Sequence, residues 1–177
     1  TLSPSMLARG VGIQRTSGIT IRYFAFNMRD PVVGGYTPEK KKLRQAMSLA
    51  VNTKMMIDLY LQGNGRRAQS VVPPGIAGFD PHYRNPYCRY DLVRAKKLLA
   101  EAGYPNGINR KTGKRLTIFY DYVESGASGR ILAGMIAKQF ESIGIHLESR
   151  ASRYTTYKDK VDNRECQFTL NGWYADY

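Results

Sequence analysis

Cysteine is scarce. Only Cys88 and Cys166 occur among 177 residues, with no Cys-x-x-Cys pair, so neither a zinc ribbon nor a thioredoxin-type site is signalled. One disulfide could form in an oxidising compartment, but nothing in the spacing makes the two meet. Two free buried thiols are the preferred expectation. Histidine is as rare: His82 and His146 are the only imidazole bases. With no His-x-x-x-His and no acid-rich calcium-type loop, no metal and no cofactor are expected. No run of 18 apolar residues exists, so no membrane-spanning helix is expected. Carboxylates are in the minority, 14 against 27 Lys and Arg, for a formal net charge of +13. The chain opens at Thr1 without a charged-then-apolar signal pattern, and is read as an internal start left by processing, cloning or proteolysis.

Core-forming residues are plentiful. A hydrophobic fraction of 42%, with 13 Tyr and 6 Phe, is that of a folded chain. The length suits one domain, 1–177. The positive excess favours anionic partners, either nucleic acid, headgroups or acidic ligands. Its ordinary explanation is a solvated basic face. Lys40, Lys41 and Lys42, then Arg94, Lys96 and Lys97, then the turn from Arg110 to Arg115 are separate clusters, and no basic-aromatic repeat joins them into a stacking platform.

The periodicities give an order of elements. Residues 19–28 alternate and are rich in β-formers, which predicts a strand. Thr37 and Pro38 start a helix whose buried face is Leu43, Ala46, Met47, Ala50 and Val51, with Lys40, Lys41, Lys42, Arg44 and Gln45 mostly in water. Asn52 caps a shorter helix to Leu61, ended by Gly63-Asn64-Gly65. Residues 64–90 hold four prolines and little periodicity, a long irregular segment. Asp91 caps a third helix with a Leu92, Ala95, Leu98, Leu99 and Ala102 stripe, stopped at Gly103. After a polar turn at 105–114 come a strand (Leu116, Ile118, Tyr120, Tyr122), a helix capped by Ser128 and running to Ile143, a short strand at 145–148, a helical stretch near 153–161 and a strand at 167–171. This alternation predicts an α/β fold, a mixed sheet covered by helices.

Most chemical motifs fail on context. Gly63 to Ala68 matches a nucleotide-binding glycine string but follows a helix instead of a strand, and reads as a helix-terminating turn. Gly126-Ala127-Ser128-Gly129 lacks the last glycine of a nucleophile elbow. A Ser or Cys with His82 or His146 would be a pairing by spatial accident. No catalytic residue is assigned, and the chain is not expected to be an enzyme. The informative string is the last one. After Asn171 and Gly172, where the final strand is expected to end, Trp173, Tyr174 and Tyr177 flank Asp176. A carboxylate beside aromatic rings suits a ligand's ammonium group, through a charge-assisted hydrogen bond and a negative π-face.

Several stretches, in order from about Phe26 onward, resemble bacterial extracellular solute-binding proteins of family 5, the oligopeptide- and dipeptide-binding type. Leu43 to Asn52 is similar to that family's "lRqAlslAiD" helix, and Gly63 to Ala68 to its "gGnGrpa" turn. Pro73-Pro74-Gly75 stands at its proline-glycine loop. Tyr90 to Tyr104 is close to "yDpekAkkLLaeAGy", and Gly172 to Tyr177 resembles "GWxaDYpdP". Departures are Asn52 for the family's Asp and Val93 for a residue often acidic; oligopeptide binders also use arginines upstream of the last string to hold ligand carboxylates, and Leu170 offers no such charge. The resemblance implies one lobe of a two-lobed, periplasmic-binding-protein-like (type II) receptor, with hinge-proximal strands near 19–28 and 167–177. It also implies a periplasmic or extracytoplasmic site of action, delivery of solute to an ABC importer permease, and a partner lobe N-terminal to this one. Asp176 inherits pairing with a peptide's α-amino group and Trp173 a wall of the pocket, with Tyr174 and Asn171 beside them. Peptides are the first expected solutes; opines, sugars and metal chelates are bound by relatives. Nucleic acid is not an expected partner on this reading. The alternatives left open are a basic nucleic-acid or anionic-surface binding module and a hydrolase with a hidden Ser/His pair.

Overall fold

A computed structural model describes residues 2–14, 16 and 18–174. A short helix, α1 (Pro4–Ala8), precedes β1 (Thr20–Phe26). The chain continues through α2 (Pro38–Ala50), α3 (Thr53–Leu59) and α4 (Leu92–Glu101) to a 3-10 turn at Pro105–Gly107. Then β2 (Thr117–Val123), α5 (Gly126–Glu141), β3 (His146–Ser152), α6 (Tyr154–Asp162) and β4 (Phe168–Tyr174) alternate. The four strands form one sheet in the order β1-β4-β2-β3. β2 is parallel to both β3 and β4, and β1 runs antiparallel to β4. The predicted mixed α/β sheet covered by helices is what forms.

Capping chemistry sets most helix starts. The Thr37 hydroxyl accepts from the Lys40 amide, Asn52 Oδ1 from Met55 and Asp91 Oδ1 from Arg94, each quenching an amide that has no partner within its helix. Ser128 does not cap α5. That helix begins earlier, at Gly126, and its N-cap, Ser125, makes no side-chain capping bond. β4 also exceeds its expected length. Gly172 does not end it, because pairing with β1 carries it on to Tyr174.

The two sheet faces differ. One carries Phe24, Phe26, Ile118, Tyr120, Leu147 and Phe168 against α2 and α5. Phe168 sits at its centre, with rings of Phe24, Phe26, Tyr120 and Phe140 at 5.1–5.6 Å. The other face lies under α6 and is built from Asp121, Arg150, Thr169 and Asn171. Each strand alternates strictly, so a one-residue slip would exchange these sets.

Two connections bring backbones very close. A Cβ on Gly107 would lie 2.0 Å from the Gly144 carbonyl oxygen, and one on Gly144 would lie 2.3 Å from that of Asn106. Both glycines are at positive φ, so both the space and the torsion require glycine. The β1–α2 loop is stapled differently. Asp30 Oδ1 accepts from the Val32 and Val33 amides at 2.7 and 2.8 Å, and both its oxygens accept from Gln167 Nε2 at 3.1 Å. Lys40 donates to the Pro31 and Val32 carbonyls, and Arg44 to that of Val33. These two cations therefore fold back onto the chain instead of turning to water, as the helical spacing alone suggested. Gly63 ends α3 through its amide bond to the Ile57 carbonyl at 2.9 Å, the helix-terminating role read from the sequence. Both cysteines are free, Cys166 buried and Cys88 half-buried.

Candidate functional site

Parallel strands β2, β3 and β4 end at the same edge of the sheet. In open α/β sheets, ligands bind at the carboxyl ends of strands, where the connecting loops converge. This edge holds the β2–α5 and β3–α6 connections and the end of β4. Glu124 donates its amide to the Ser152 carbonyl at 2.8 Å, which ties the first two together. β2 and β4 pair only at Tyr120–Phe168 and Asp121–Thr169. Beyond Thr169, β4 leaves β2 and runs on with β1 alone, as a two-stranded ribbon ending at the Thr20–Tyr174 pair.

That ribbon carries the described part of the C-terminal string. Trp173 is 55% exposed and Tyr174 65%, and they lie on opposite faces. Trp173 stands beside Ile21 on the α6 side, and Tyr174 stands opposite Thr20 on the other. A third exposed aromatic, Tyr154, opens α6 at the same edge. Asn171 shares the face of Trp173 but is half-buried and engaged. Its Oδ1 accepts from the Tyr157 hydroxyl at 3.0 Å, and its Nδ2 donates to Thr169 Oγ1 at 3.1 Å. Asp176 lies outside the described residues.

Under α6, a buried charge cluster supports the ribbon. Asp121 is fully buried and receives Arg150 at 2.5 Å and Lys160 at 3.3 Å. Lys160 also donates to Ser152 Oγ at 3.2 Å, which links the ends of β2, β3 and α6. The Arg150 guanidinium lies over the Phe119 ring at 4.6 Å. Burial pushes the Tyr157 hydroxyl above its ordinary range, so it stays a donor to Asn171 at neutral pH. None of Asp121, Arg150, Tyr157 and Lys160 was singled out from the sequence. A signal existed: Phe119, Asp121 and Val123 form the second face of β2, and an acid between two apolar residues marks a face that is covered.

Both helices that start here do so without an acid in the first turn and without a side-chain cap. Their unpaired amides present partial positive charge to the edge. Gly129 lets α5 sit close, since a Cβ there would lie 2.6 Å from Ser125 Oγ and 3.2 Å from the Tyr122 ring.

Ser128 and His146 stand at opposite edges of the sheet. Ser128 follows the carboxyl end of β2, and His146 opens β3 at the far edge, a helix length or roughly 20 Å away at 1.5 Å per residue. His82 lies in the irregular segment, within which Cys88 Sγ donates to the Ala68 carbonyl and Gln69 accepts from the Asn85 amide. Among the described residues, no cluster of three His, Cys, Asp or Glu could hold a metal. A hollow of about 340 Å³ opens beside Ala25, Asn27, Val161, Arg164, Thr169 and Asn171, so it reaches one of the sequence-predicted binding residues.

The architecture is that of the periplasmic binding proteins. The oligopeptide-binding protein AppA from Bacillus subtilis, solved with a nonapeptide, superposes with a TM-score of 0.78 at 21% identity, over 90% of this chain and 32% of that one. A dipeptide-binding protein from Pseudoalteromonas sp. SM9913, solved with Met-Leu, gives 0.73 at 25% identity, over 98% of this chain and 33% of that one. The model of bacterial extracellular solute-binding proteins, family 5 (middle), matches residues 3–177, and the chain belongs to that family. Among curated relatives, heme-binding protein A of Haemophilus influenzae is 28% identical over 94% of the chain, and the dipeptide-binding protein of Escherichia coli 24% over 95%. The chain spans 28% and 29% of their respective lengths.

Proposed function

We propose that this chain is one lobe of a two-lobed extracytoplasmic receptor, which closes on a solute and presents it to an ABC importer. The carboxyl-end edge of the sheet is the wall that meets the solute, and the β1–β4 ribbon leads toward the hinge. The supporting observation is the exposure of Trp173 and Tyr174 on a ribbon that has left the rest of the sheet. An indole and a phenol left in water at a strand-end edge are free to be covered by a ligand or a partner surface. Hinge closure covers them, and it is favoured only as far as the solute touches both lobes.

The solute we propose is a peptide. Asp176 pairs with its α-amino group, Trp173 packs against its backbone or first side chain, and Tyr174 contributes from the other side of the ribbon. Asn171, held by Tyr157 and Thr169, fixes the ribbon's direction and so has a supporting role. With Leu170 uncharged, a ligand carboxylate finds no cation from β4. The open N-termini of α5 and α6 are the remaining positive ends at this edge. The chemistry is binding without turnover.

Calorimetry on the full-length receptor tests this reading. Asp176→Asn is expected to weaken an amine-bearing dipeptide by roughly 1.5–3 kcal/mol, the range for hydrogen bonds to charged groups. Unchanged affinity would remove Asp176 from the site.

A further inference from the structure

The positive charge is unevenly placed. Residues 38–50 and 84–115 together hold thirteen Lys and Arg against three Asp and Glu, a net +10 of the chain's +13. They form one continuous part of the fold. α2 packs along α4, and α4 packs on the 3-10 turn. Lys42 bridges to Glu101 at 2.9 Å. The Arg110 amide donates to the Gly103 carbonyl, and the Asn109 amide to that of Lys114.

The cations are densest at one pole, where the start of α2, the end of α4 and the 109–115 turn converge. Glu39 ionises below the ordinary carboxylate range; its own backbone amide and Thr37 lead, and Lys42 and Lys111 add. Glu101 is lowered by the hydrogen bond and charge of Lys42, with Lys97 adding. Lys41, Lys97, Arg110 and Lys114 are exposed here and hold no ion pair with a described carboxylate.

This pole is not the solute edge. The turn leads into the amino end of β2, and Arg115 reaches Glu141 and the Gly144 carbonyl, just before β3 begins. The cations therefore lie at the opposite edge from Trp173. Two apolar side chains stand among them: Tyr36, 74% exposed just before α2, and Ile108, 39% exposed on the turn. A tyrosine and an aliphatic tip within a field of lysines match a lipid headgroup boundary, which takes cations and shallow apolar groups together. Nucleic acid would instead favour aromatics interleaved along a groove.

We propose that this basic pole is a docking surface for an anionic phospholipid bilayer, which holds the receptor against the membrane carrying its permease. The inference rests on the receptor reading for its biological setting, and its test is independent of solute binding. The chain would be sedimented with phosphatidylglycerol-containing vesicles, with phosphatidylcholine vesicles and with duplex DNA at low and physiological salt. Expected are retention on the anionic vesicles alone, weakening with salt, and at least a tenfold loss for Lys97→Glu/Lys111→Glu/Lys114→Glu. A control of equal net charge, Arg9→Glu/Lys54→Glu/Arg66→Glu, is expected to lose less than twofold. No retention on anionic vesicles at low salt overturns the proposal. So do equal losses in both variants, which would mean diffuse charge, and DNA retention above that on lipid, which would mean a nucleic-acid surface. Far-ultraviolet circular dichroism confirms that both variants fold. Calorimetry of each with a dipeptide, in the full-length receptor, reads the solute site separately.

Discussion

The two faces of the sheet do different jobs. On the α2–α5 face, aromatic and aliphatic side chains interlock around Phe168, and the contribution is apolar burial. On the α6 face, two hydrogen-bonded groups lie side by side: a buried carboxylate with two cations, and a tyrosine hydroxyl, an asparagine and a threonine. Apolar burial is non-directional and tolerates small shifts, whereas a hydrogen-bonded network fixes positions. Both groups lie beneath the strand ends and the exposed ribbon, where position matters most to a bound solute. The first face thus supplies stability and the second supplies geometry.

The contrast predicts graded effects. Phe168→Ala removes the ring at the centre of the apolar face and is expected to cost about 4 kcal/mol in urea unfolding, within the range for buried Phe. A loss under 1 kcal/mol would mean that the face does not carry the stability. Asp121→Ala leaves Arg150 and Lys160 facing each other without their carboxylate. Breaking a buried pair costs roughly 3–5 kcal/mol. Both cations keep some contact with water, so about 3 kcal/mol is expected, together with weaker solute binding in the full-length receptor. Unaltered binding would make the network purely structural. Tyr157→Phe deletes one hydrogen bond to Asn171 and is expected to cost about 1 kcal/mol. A larger loss would show that the bond is coupled to the Asp121 cluster.

The smallest effect is a pH dependence. Burial pushes the Cys166 thiol up from 9.0 to about 11, with Asp121 adding. The unfolded thiol ionises first. Stability from this group is therefore complete below pH 9 and is lost as pH rises toward 11. Wild type is expected to lose more stability than Cys166→Ala between pH 8 and pH 11. Equal losses would place the thiol in a more polar setting than the α6 face provides.

Much of the fold was legible beforehand because its signals are local. Helix caps at Thr37, Asn52 and Asp91, the stripe of α2 and the alternation of β2 depend on near neighbours in sequence. What stayed hidden depends on partners far along the chain. The extension of β4 through Gly172 to Tyr174 comes from pairing with β1, about 150 residues earlier, which no strand-end rule at a glycine can report. Lys40 and Arg44 read as solvated because helical spacing ignores the loop that folds back to offer them carbonyls. Asp121 stayed hidden because its apolar neighbours Phe119 and Val123 point to a covered face without telling which element, α6, covers it or which cations it brings. For the site, Trp173 and Tyr174 were legible from residue type and from the family resemblance, whereas their placement on opposite faces of the ribbon required the register.

The most direct test uses Trp173, the only tryptophan of this chain, as its own reporter. In full-length receptor whose other tryptophans are replaced by phenylalanine, a dipeptide would be titrated while indole emission is followed. The account predicts a blue shift that saturates with the same Kd as calorimetry, as an exposed indole becomes covered. Saturable binding by calorimetry with unchanged Trp173 emission would contradict it.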